Sequence, residues 1–182
     1  WPAYCIGSRT AYDDARAAGL PSPADFLAEM RDLCRTLRLA LCCGYIEEHA
    51  GRLFNTAALL ASDGTLLGTH RKCFLWAFDH DYFTAGSCVV PVDSAFGGAG
   101  LMVCADARLP EIPAALAARG ADFLLQPTAW VNAATPARPW NPQPDFLIRS
   151  RAAEFGVPCA SASKWGLEGN TLFVGSSLIC NA

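Results

Sequence analysis

The stretch from Gly100 to Glu111, Gly-Leu-Met-Val-Cys-Ala-Asp-Ala-Arg-Leu-Pro-Glu, constrains the fold more than any other part of this sequence. Its apolar run, residues 101–103, predicts a buried strand that stops at Cys104. The Pro-Glu pair that follows, with Ala-Ala-Leu-Ala-Ala behind it, predicts the start of a helix. A cysteine therefore lies on a sharp strand-to-helix elbow, at the edge of a parallel α/β sheet where ligands usually bind.

Two interpretations of Cys104 follow from this position. A thiol on such an elbow gains from the positive end of the next helix and from free backbone N–H groups, which favour a thiolate and a developing oxyanion. Cysteine is also among the most buried residue types, so the same residue can be a small core side chain. The elbow alone leaves both interpretations open.

Composition bounds the class of protein. The chain has 182 residues, of which 52% are hydrophobic and 17% charged, which predicts one domain, residues 1–182, with a sizeable core. The net charge of −3 and the absence of a Lys/Arg cluster argue against a nucleic-acid surface and favour a small neutral or anionic ligand. No apolar run is long enough to span a membrane, and no signal-peptide pattern occurs, so no membrane partner is expected.

The nine cysteines are odd in number and irregularly spaced, and no C-x-x-C motif occurs. This pattern predicts reduced thiols and a cytoplasmic location, without a zinc ribbon or a redox motif. The three histidines, His49, His70 and His80, have no recognisable metal-ligand spacing, so no metal site is expected.

Hydrophobic periodicity predicts an α/β fold. Helices are expected at residues 11–18, 22–39, 111–119 and 146–155, and strands at 39–46, 55–60, 65–70, 88–92, 101–103, 122–126 and 157–161, with a turn at 164–170 and a final strand pair within 171–180. A hairpin at residues 62–64 interrupts the alternation of strands and helices, which indicates mixed sheets; two of them packed face to face, with helices outside, would bury the apolar strands. The proline-rich stretch 127–144 suits a loop at the rim of a pocket.

Lys72 is the cation that an acyl-transfer site with a cysteine nucleophile would need. It follows a strand at the polar end of the hairpin and precedes a loop rich in aromatic residues, where it could enter a partly dry pocket. The alternative is a solvated hairpin lysine, which is the norm for this residue type. Spacing alone does not decide between them.

A set of motifs, in unbroken order from about Gly44 to the C-terminus, resembles the nitrilase or carbon-nitrogen hydrolase superfamily. The matching residues are Asn55-Thr56, Asp63-Gly64, Gly68-Thr-His-Arg71-Lys72, Leu75-Trp76, Phe83 with Gly86, the whole stretch 100–111, Leu116 with Arg119-Gly120-Ala121-Asp122, Gln126-Pro127-Thr-Ala-Trp130, Arg151-Ala152 with Glu154, and Gly175-Ser-Ser177.

The resemblance implies an α-β-β-α sandwich of two mixed sheets flanked by helices, carrying a Glu-Lys-Cys triad. Cys104 falls at the nucleophile. Lys72 falls at the lysine that stabilises the oxyanion together with the backbone N–H of Ala105. Asp79 falls where many members carry a second acidic residue, although it is shorter than the usual glutamate.

The resemblance also assigns supporting residues. Asp106, Arg108, Pro110 and Glu111 match those that hold the elbow and cap the helix. Trp130 and Phe78 are expected to contact substrate. Neither a metal nor an organic cofactor is implied, and a homo-oligomer, dimeric or larger, is expected.

The glutamate base is the point where the sequence departs from the family pattern. Its Pro-Glu motif would fall at or before Trp1, and Glu29, Glu47 and Glu48 lie in the wrong context and are interpreted as solvated. We therefore expect the chain to be a fragment that lacks the first strand, the first helix, the base and a C-terminal segment, and to be inactive by itself.

The implied function is hydrolysis of a non-peptide carbon-nitrogen bond, in an amide or an N-carbamoyl group, through a thioester on Cys104. Nitrile-cleaving members often have Trp and then Glu after the cysteine, whereas Ala105-Asp106 is more typical of the amidase and carbamoylase branches. Nitrile hydrolysis and a non-catalytic scaffolding role remain the alternatives. A Cys-His-Glu amidotransferase is disfavoured because no His-x-Glu follows the nucleophile.

Overall fold

The structure, a computed structural model, describes residues 7–132 and 140–182. Its elements in chain order are α1 Arg9–Ala17, α2 Pro23–Leu37, β1 Leu41–His49, β2 Arg52–Leu60, β3 Leu66–Arg71, α3 Asp79–Tyr82, β4 Val92–Ser94, β5 Gly97–Leu101, the 3-10 turn Cys104–Arg108, α4 Glu111–Ala118, β6 Phe123–Thr128, α5 Gln143–Phe155, β7 Cys159–Ser163, β8 Trp165–Glu168, β9 Thr171–Val174 and β10 Leu178–Cys180. Within these ranges, every helix falls short of the length or apolar character needed to cross a bilayer.

The first sheet contains β1, β2 and β3 in that order and is antiparallel throughout. The hairpin between β2 and β3 turns at Asp63-Gly64, as predicted. A second hairpin, which the sequence analysis missed, joins β1 to β2 through Ala50 and Gly51, both with positive φ. The sequence predicted that the first strand ends at residue 46 and the second begins at residue 55, because charged residues lie between them. In the structure, cross-strand pairing extends β1 and β2 up to the turn at Ala50-Gly51.

The second sheet has the order β10-β7-β6-β5-β4. Its three central strands are parallel, and the two edge strands are antiparallel to their neighbours. The carboxyl ends of β5 and β6 therefore lie side by side, next to Cys104. This sheet is mixed, as predicted.

Apolar side chains from both sheets meet in one cluster, with Ala57 and Leu59 from β2 against Ala99 and Leu101 from β5. On the outer face of the second sheet, a separate cluster joins Leu116 of α4 and Ile148 of α5 to Leu124 of β6. Tyr12 of α1 packs with Ile46 and Leu53 on the first sheet. The prediction of a mixed α/β fold is confirmed, with two sheets packed face to face and helices outside them.

Three local predictions were wrong. The strand expected at 88–92 is β4, which begins only after Pro91, because proline has no N–H to donate to a ladder. The turn expected at 164–170 contains β8, which pairs with β9 around Gly169-Asn170. The expected final strand pair within 171–180 is divided, since β9 pairs with β8 and β10 pairs with β7.

Candidate active site

The strand expected at 101–103 is β5, which already ends at Leu101; Cys104 begins a 3-10 turn after two further residues, and α4 starts only at Glu111. Its φ of 46° is in the left-handed region, which costs free energy for any residue other than glycine. Strained strand-to-helix turns of this type present a nucleophile at the end of a strand. The predicted elbow is therefore present, although a 3-10 turn and not α4 follows the cysteine directly.

The backbone of the elbow is held from the second sheet and from α5. The side-chain amide of Gln126 donates to the carbonyl oxygen of Cys104 at 2.7 Å, and the Ser161 hydroxyl donates to Gln126 Oε1 at 2.8 Å. Arg151 of α5 donates from Nε to the Ala107 carbonyl oxygen at 2.9 Å. All three supporting side chains are buried. No local pattern indicates hydrogen bonds across 22 or 44 residues, so only the family resemblance pointed to Gln126 and Arg151.

Asp106 ties the elbow to the segment that carries Lys72. Its Oδ1 accepts the backbone N–H groups of Cys73 at 3.0 Å and Phe74 at 2.8 Å. Its Oδ2 accepts the N–H of Val103 at 2.9 Å and lies 2.9 Å from Nε2 of His70. Asp106 is fully buried, so its carboxylate exchanges hydration for four protein contacts.

Lys72 is 1% exposed, so its side chain is more deeply buried than the sequence predicted. Its backbone is fixed on both sides, since its N–H donates to Asn55 O at 2.8 Å and its carbonyl accepts from Gly86 N at 2.8 Å. Its ammonium group contacts Oδ2 of Asp79, which is fully buried and also accepts the N–H of Trp76 at 2.9 Å. The solvated interpretation of Lys72 is excluded by this burial.

A cavity of about 570 Å³ opens at the carboxyl ends of β5 and β6. Cys104, Val103, Pro127 and Thr128 line it on the side of the second sheet. The remaining lining residues are Gly44, Tyr45, Ile46, Asn55, Phe83, Ala129, Ala162, Ser163, Lys164 and Ser177. The lining is mainly apolar, with a few hydroxyl and amide groups and the charged side chain of Lys164, which suits a small organic ligand.

Two predicted substrate contacts lie elsewhere in the structure. Trp130 is 1% exposed within the core cluster of α4 and α5, and it does not belong to the lining residues of this cavity. The Phe78 ring stacks on Tyr82, with ring centroids 6.5 Å apart, also outside that lining. Of the predicted proline-rich rim, Pro127 lines the cavity, whereas Pro136 and Pro139 lie outside the described residues.

The prediction that Glu47 is solvated was wrong. Arg71 contacts both of its carboxylate oxygens, and the Thr56 hydroxyl donates to Oε2 at 2.9 Å. Burial alone would raise the pKa of Glu47, but the hydrogen bonds from Arg71 and Thr56 outweigh it and lower that pKa. Glu48 forms an ion pair with Arg9 at 2.8 Å on the surface.

The eight cysteines within the described residues are free. Burial raises the pKa of Cys34, and it raises the pKa of four further cysteines to about 12 for Cys42 and Cys159 and to about 11 for Cys43 and Cys73. These four thiols are therefore poor nucleophiles at neutral pH. In the described ranges, no three His, Cys, Asp or Glu side chains are grouped as a metal ion would require.

Residues 2–182 match the family model for carbon-nitrogen hydrolases. The chain belongs to the carbon-nitrogen hydrolase family. The human omega-amidase NIT2 is 31% identical over 151 residues, which are 78% of this chain and 53% of that protein. The chain spans about half the length of the curated relatives it matches.

Solved amidase structures share the fold. A mutant of the amidase from Nesterenkonia sp. AN1 in complex with butyramide superposes with a TM-score of 0.77 at 30% identity, over 85% of this chain and 58% of that one. A second mutant, which shows covalent addition of the acetamide moiety of fluoroacetamide at its active-site cysteine, gives a TM-score of 0.76 at 28% identity, with the same coverage of both chains. This carbon-nitrogen hydrolase chain is thus similar to proteins that act on amides.

Proposed function

We propose that this carbon-nitrogen hydrolase chain carries the nucleophile and the oxyanion lysine of an enzyme that hydrolyses an amide or N-carbamoyl bond. The observation that carries the proposal is the placement of Cys104, in a left-handed conformation, on the wall of a cavity of about 570 Å³. Lys72 is buried behind the lining residues of this cavity, and it supports the proposal because the two segments that hold Lys72 and Cys104 share the carboxylate of Asp106.

The proposed chemistry is acyl transfer. The thiolate sulfur of Cys104 attacks the carbonyl carbon, a C–S bond forms, and the carbonyl π electrons move to oxygen. The N–H of Ala105 and the ammonium of Lys72 stabilise that oxyanion. The intermediate collapses with cleavage of the C–N bond, the nitrogen leaves as ammonia or an amine after taking up a proton, and water then hydrolyses the thioester to the acid and the free thiol.

The thiol proton requires a base that the described residues do not provide. No Asp or Glu of the described chain lines the cavity. Asp79 contacts Lys72, and Glu47 is bound to Arg71. We therefore propose that a glutamate outside this chain is the base and that Asp79 holds Lys72 in place as its counter-charge, since a buried ammonium needs one.

The proposed substrate carries a small, mainly apolar acyl group. Ile46, Phe83, Val103 and Ala162 contribute apolar surface to the cavity, which would favour a short chain next to the reacting carbonyl. An amide such as butyramide fits this description and is bound by the amidase from Nesterenkonia sp. AN1. The Ala105-Asp106 pair favours amides or N-carbamoyl compounds over nitriles.

Labelling with fluoroacetamide tests the role of Cys104 in a protein that contains residues 1–182 together with the proposed base. Peptide mass spectrometry at pH 7 should find Cys104, which is 7% exposed, modified faster than the exposed Cys88. Simple accessibility would give the opposite order, so Cys88 is an internal control. Labelling of Cys88 alone, on a chain with native circular dichroism, would overturn the proposal.

The reaction type is tested in a protein that contains residues 1–182 together with the proposed base. Ammonia release from butyramide should exceed release from butyronitrile by at least about a hundredfold, because the proposed site is built for an amide carbonyl. The reverse order would support nitrile hydrolysis, and release from neither compound nor from N-carbamoyl compounds would support the non-catalytic alternative.

A further inference from the structure

His70 is a buried histidine that the proposed chemistry does not use. It lies near the end of β3, two residues before Lys72, and is 3% exposed. Its Nε2 lies 2.9 Å from Oδ2 of Asp106, 36 residues further along the chain. A buried polar contact over this sequence distance joins two segments that local structure alone would not hold together.

The other donors to Asp106 show which segments are joined. Cys73 and Phe74 donate from the chain immediately after Lys72, and Val103 donates from the residue immediately before Cys104. Together with His70, these contacts hold the segment on both sides of Lys72 to the carboxylate of the elbow. The buried carboxylate of Asp106 thus links the position of the lysine to that of the thiol.

We infer that His70 is a positioning residue, which fixes the β3 side of Lys72 against the Cys104 elbow through its Nε2 hydrogen bond to Asp106. The inference rests on the proposed function, because it assumes that Lys72 and Cys104 act on the same carbonyl group. Displacement of a catalytic group by about 1 Å can lower a rate by about a hundredfold. His70 itself touches no reacting atom.

The hydrogen bond can be removed without leaving the carboxylate unpaired. Three backbone N–H groups still donate to Asp106 when His70 is replaced, so the elbow keeps the other hydrogen bonds that hold it. Loss of His70 should therefore alter the placement of Lys72 more than it alters the fold.

Three substitutions separate the donor from the volume of the ring. In His70→Gln, the amide nitrogen can occupy the place of Nε2 and keep the bond. In His70→Asn, the amide is too short to reach it, and His70→Phe keeps the ring without a donor. His49→Phe, at the exposed end of β1, is the matched control.

The test protein contains residues 1–182 together with the proposed base, and the readout is the rate at which fluoroacetamide labels Cys104, divided by the rate for Cys88 in the same sample. We expect His70→Gln and His49→Phe to stay within about threefold of the unsubstituted chain, and His70→Asn and His70→Phe to fall at least about tenfold. If His70→Phe fails to fold, the comparison of Gln with Asn still decides, because both are uncharged amides.

The role of His70 would be overturned if the labelling ratio of Cys104 to Cys88 were equal in His70→Gln and His70→Asn. It would also be overturned if all four variants had the ratio of the unsubstituted protein. In either case Cys104 would still be the labelled residue, and the proposed function would stand. An unsubstituted chain whose Cys104 is not labelled would overturn the proposed function, and the role of His70 with it.

Discussion

The ammonium of Lys72 and the carboxylate of Asp79 are in contact, and both side chains are shielded from solvent. A buried pair of this type carries a large desolvation cost for each partner, which the attraction between the two charges and the hydrogen bond from the Trp76 N–H to Asp79 offset. The pair therefore makes Lys72 a structural residue as well as a proposed catalytic one, and stability and turnover must be measured separately.

Lys72→Met should lower the free energy of unfolding by about 3 to 5 kcal/mol, because Asp79 would remain buried without a counter-charge. The double variant Lys72→Met/Asp79→Leu should recover most of this loss, since neither charge remains. Urea denaturation measures both. In a protein that also contains the proposed base, turnover of an amide should be at least about a hundredfold lower in both variants, because one of the two proposed oxyanion donors is gone. A change within about 0.5 kcal/mol for Lys72→Met would be the behaviour of a surface lysine.

Cys104→Ala should lower amide turnover by at least about a thousandfold in a protein that is active, because no thioester can form. Ammonia release measures the effect, and Cys88→Ala is the control, since Cys88 is exposed and outside the cavity lining. Turnover in Cys104→Ala comparable with that of the control would remove the nucleophile assignment.

Arg151→Ala should destabilise the protein by about 2 to 3 kcal/mol, because the Ala107 carbonyl beneath the elbow loses a charged donor. Arg149→Ala is the matched control on the same helix. Its ion pair with Asp145 is exposed to solvent and should contribute little to stability. Thermal denaturation of the two variants should separate them, and equal shifts would show that Arg151 does not support the elbow.

Glu47→Gln should destabilise the protein at neutral pH and lose this effect in acid. Burial opposes the shift, but the bonds from Arg71 and Thr56 lower the pKa of Glu47 below its usual 4.5. A carboxyl group with a lowered pKa in the folded state contributes stability that is fully present above the unfolded pKa and is lost as the pH falls through the folded pKa.

Urea denaturation at pH 7 should show that the free energy of unfolding of Glu47→Gln is about 1 to 2 kcal/mol lower than that of the unsubstituted chain. At a series of pH values below 4.5, this difference should shrink toward zero as the carboxyl group becomes protonated. Glu29→Gln, on an exposed position of α2, should change stability by less than about 0.5 kcal/mol at pH 7. A Glu47→Gln difference that does not change with pH would contradict the ion-pair account.

The local sequence pattern predicted those parts of the site that are formed by residues adjacent in the chain. The apolar run before Cys104 and the Pro-Glu pair after it indicated the elbow, and the resemblance indicated Lys72 and Asp79. The conformation that makes the elbow sharp, the positive φ of Cys104, has no sequence signal because the residue is not glycine.

Long-range polar contacts were not predictable in the same way. Periodicity indicates which face of an element is buried, but it does not indicate that His70 meets Asp106 or that Gln126 meets the Cys104 carbonyl. Glu47 was interpreted as solvated because charged residues usually are, and its partner Arg71 lies 24 residues away on another strand. Tertiary structure decided these contacts.

The left-handed backbone at Cys104 implies an order of events on heating. Conformational strain of about 1 to 2 kcal/mol at a single residue persists only while its surroundings enforce it, and here Gln126, Asp106 and Arg151 hold the turn. When these contacts loosen, the backbone relaxes toward an ordinary conformation and the thiol leaves the cavity wall. Thermal inactivation should then begin as a local event at the elbow, at temperatures where the two sheets are still intact and the protein still has its native circular dichroism.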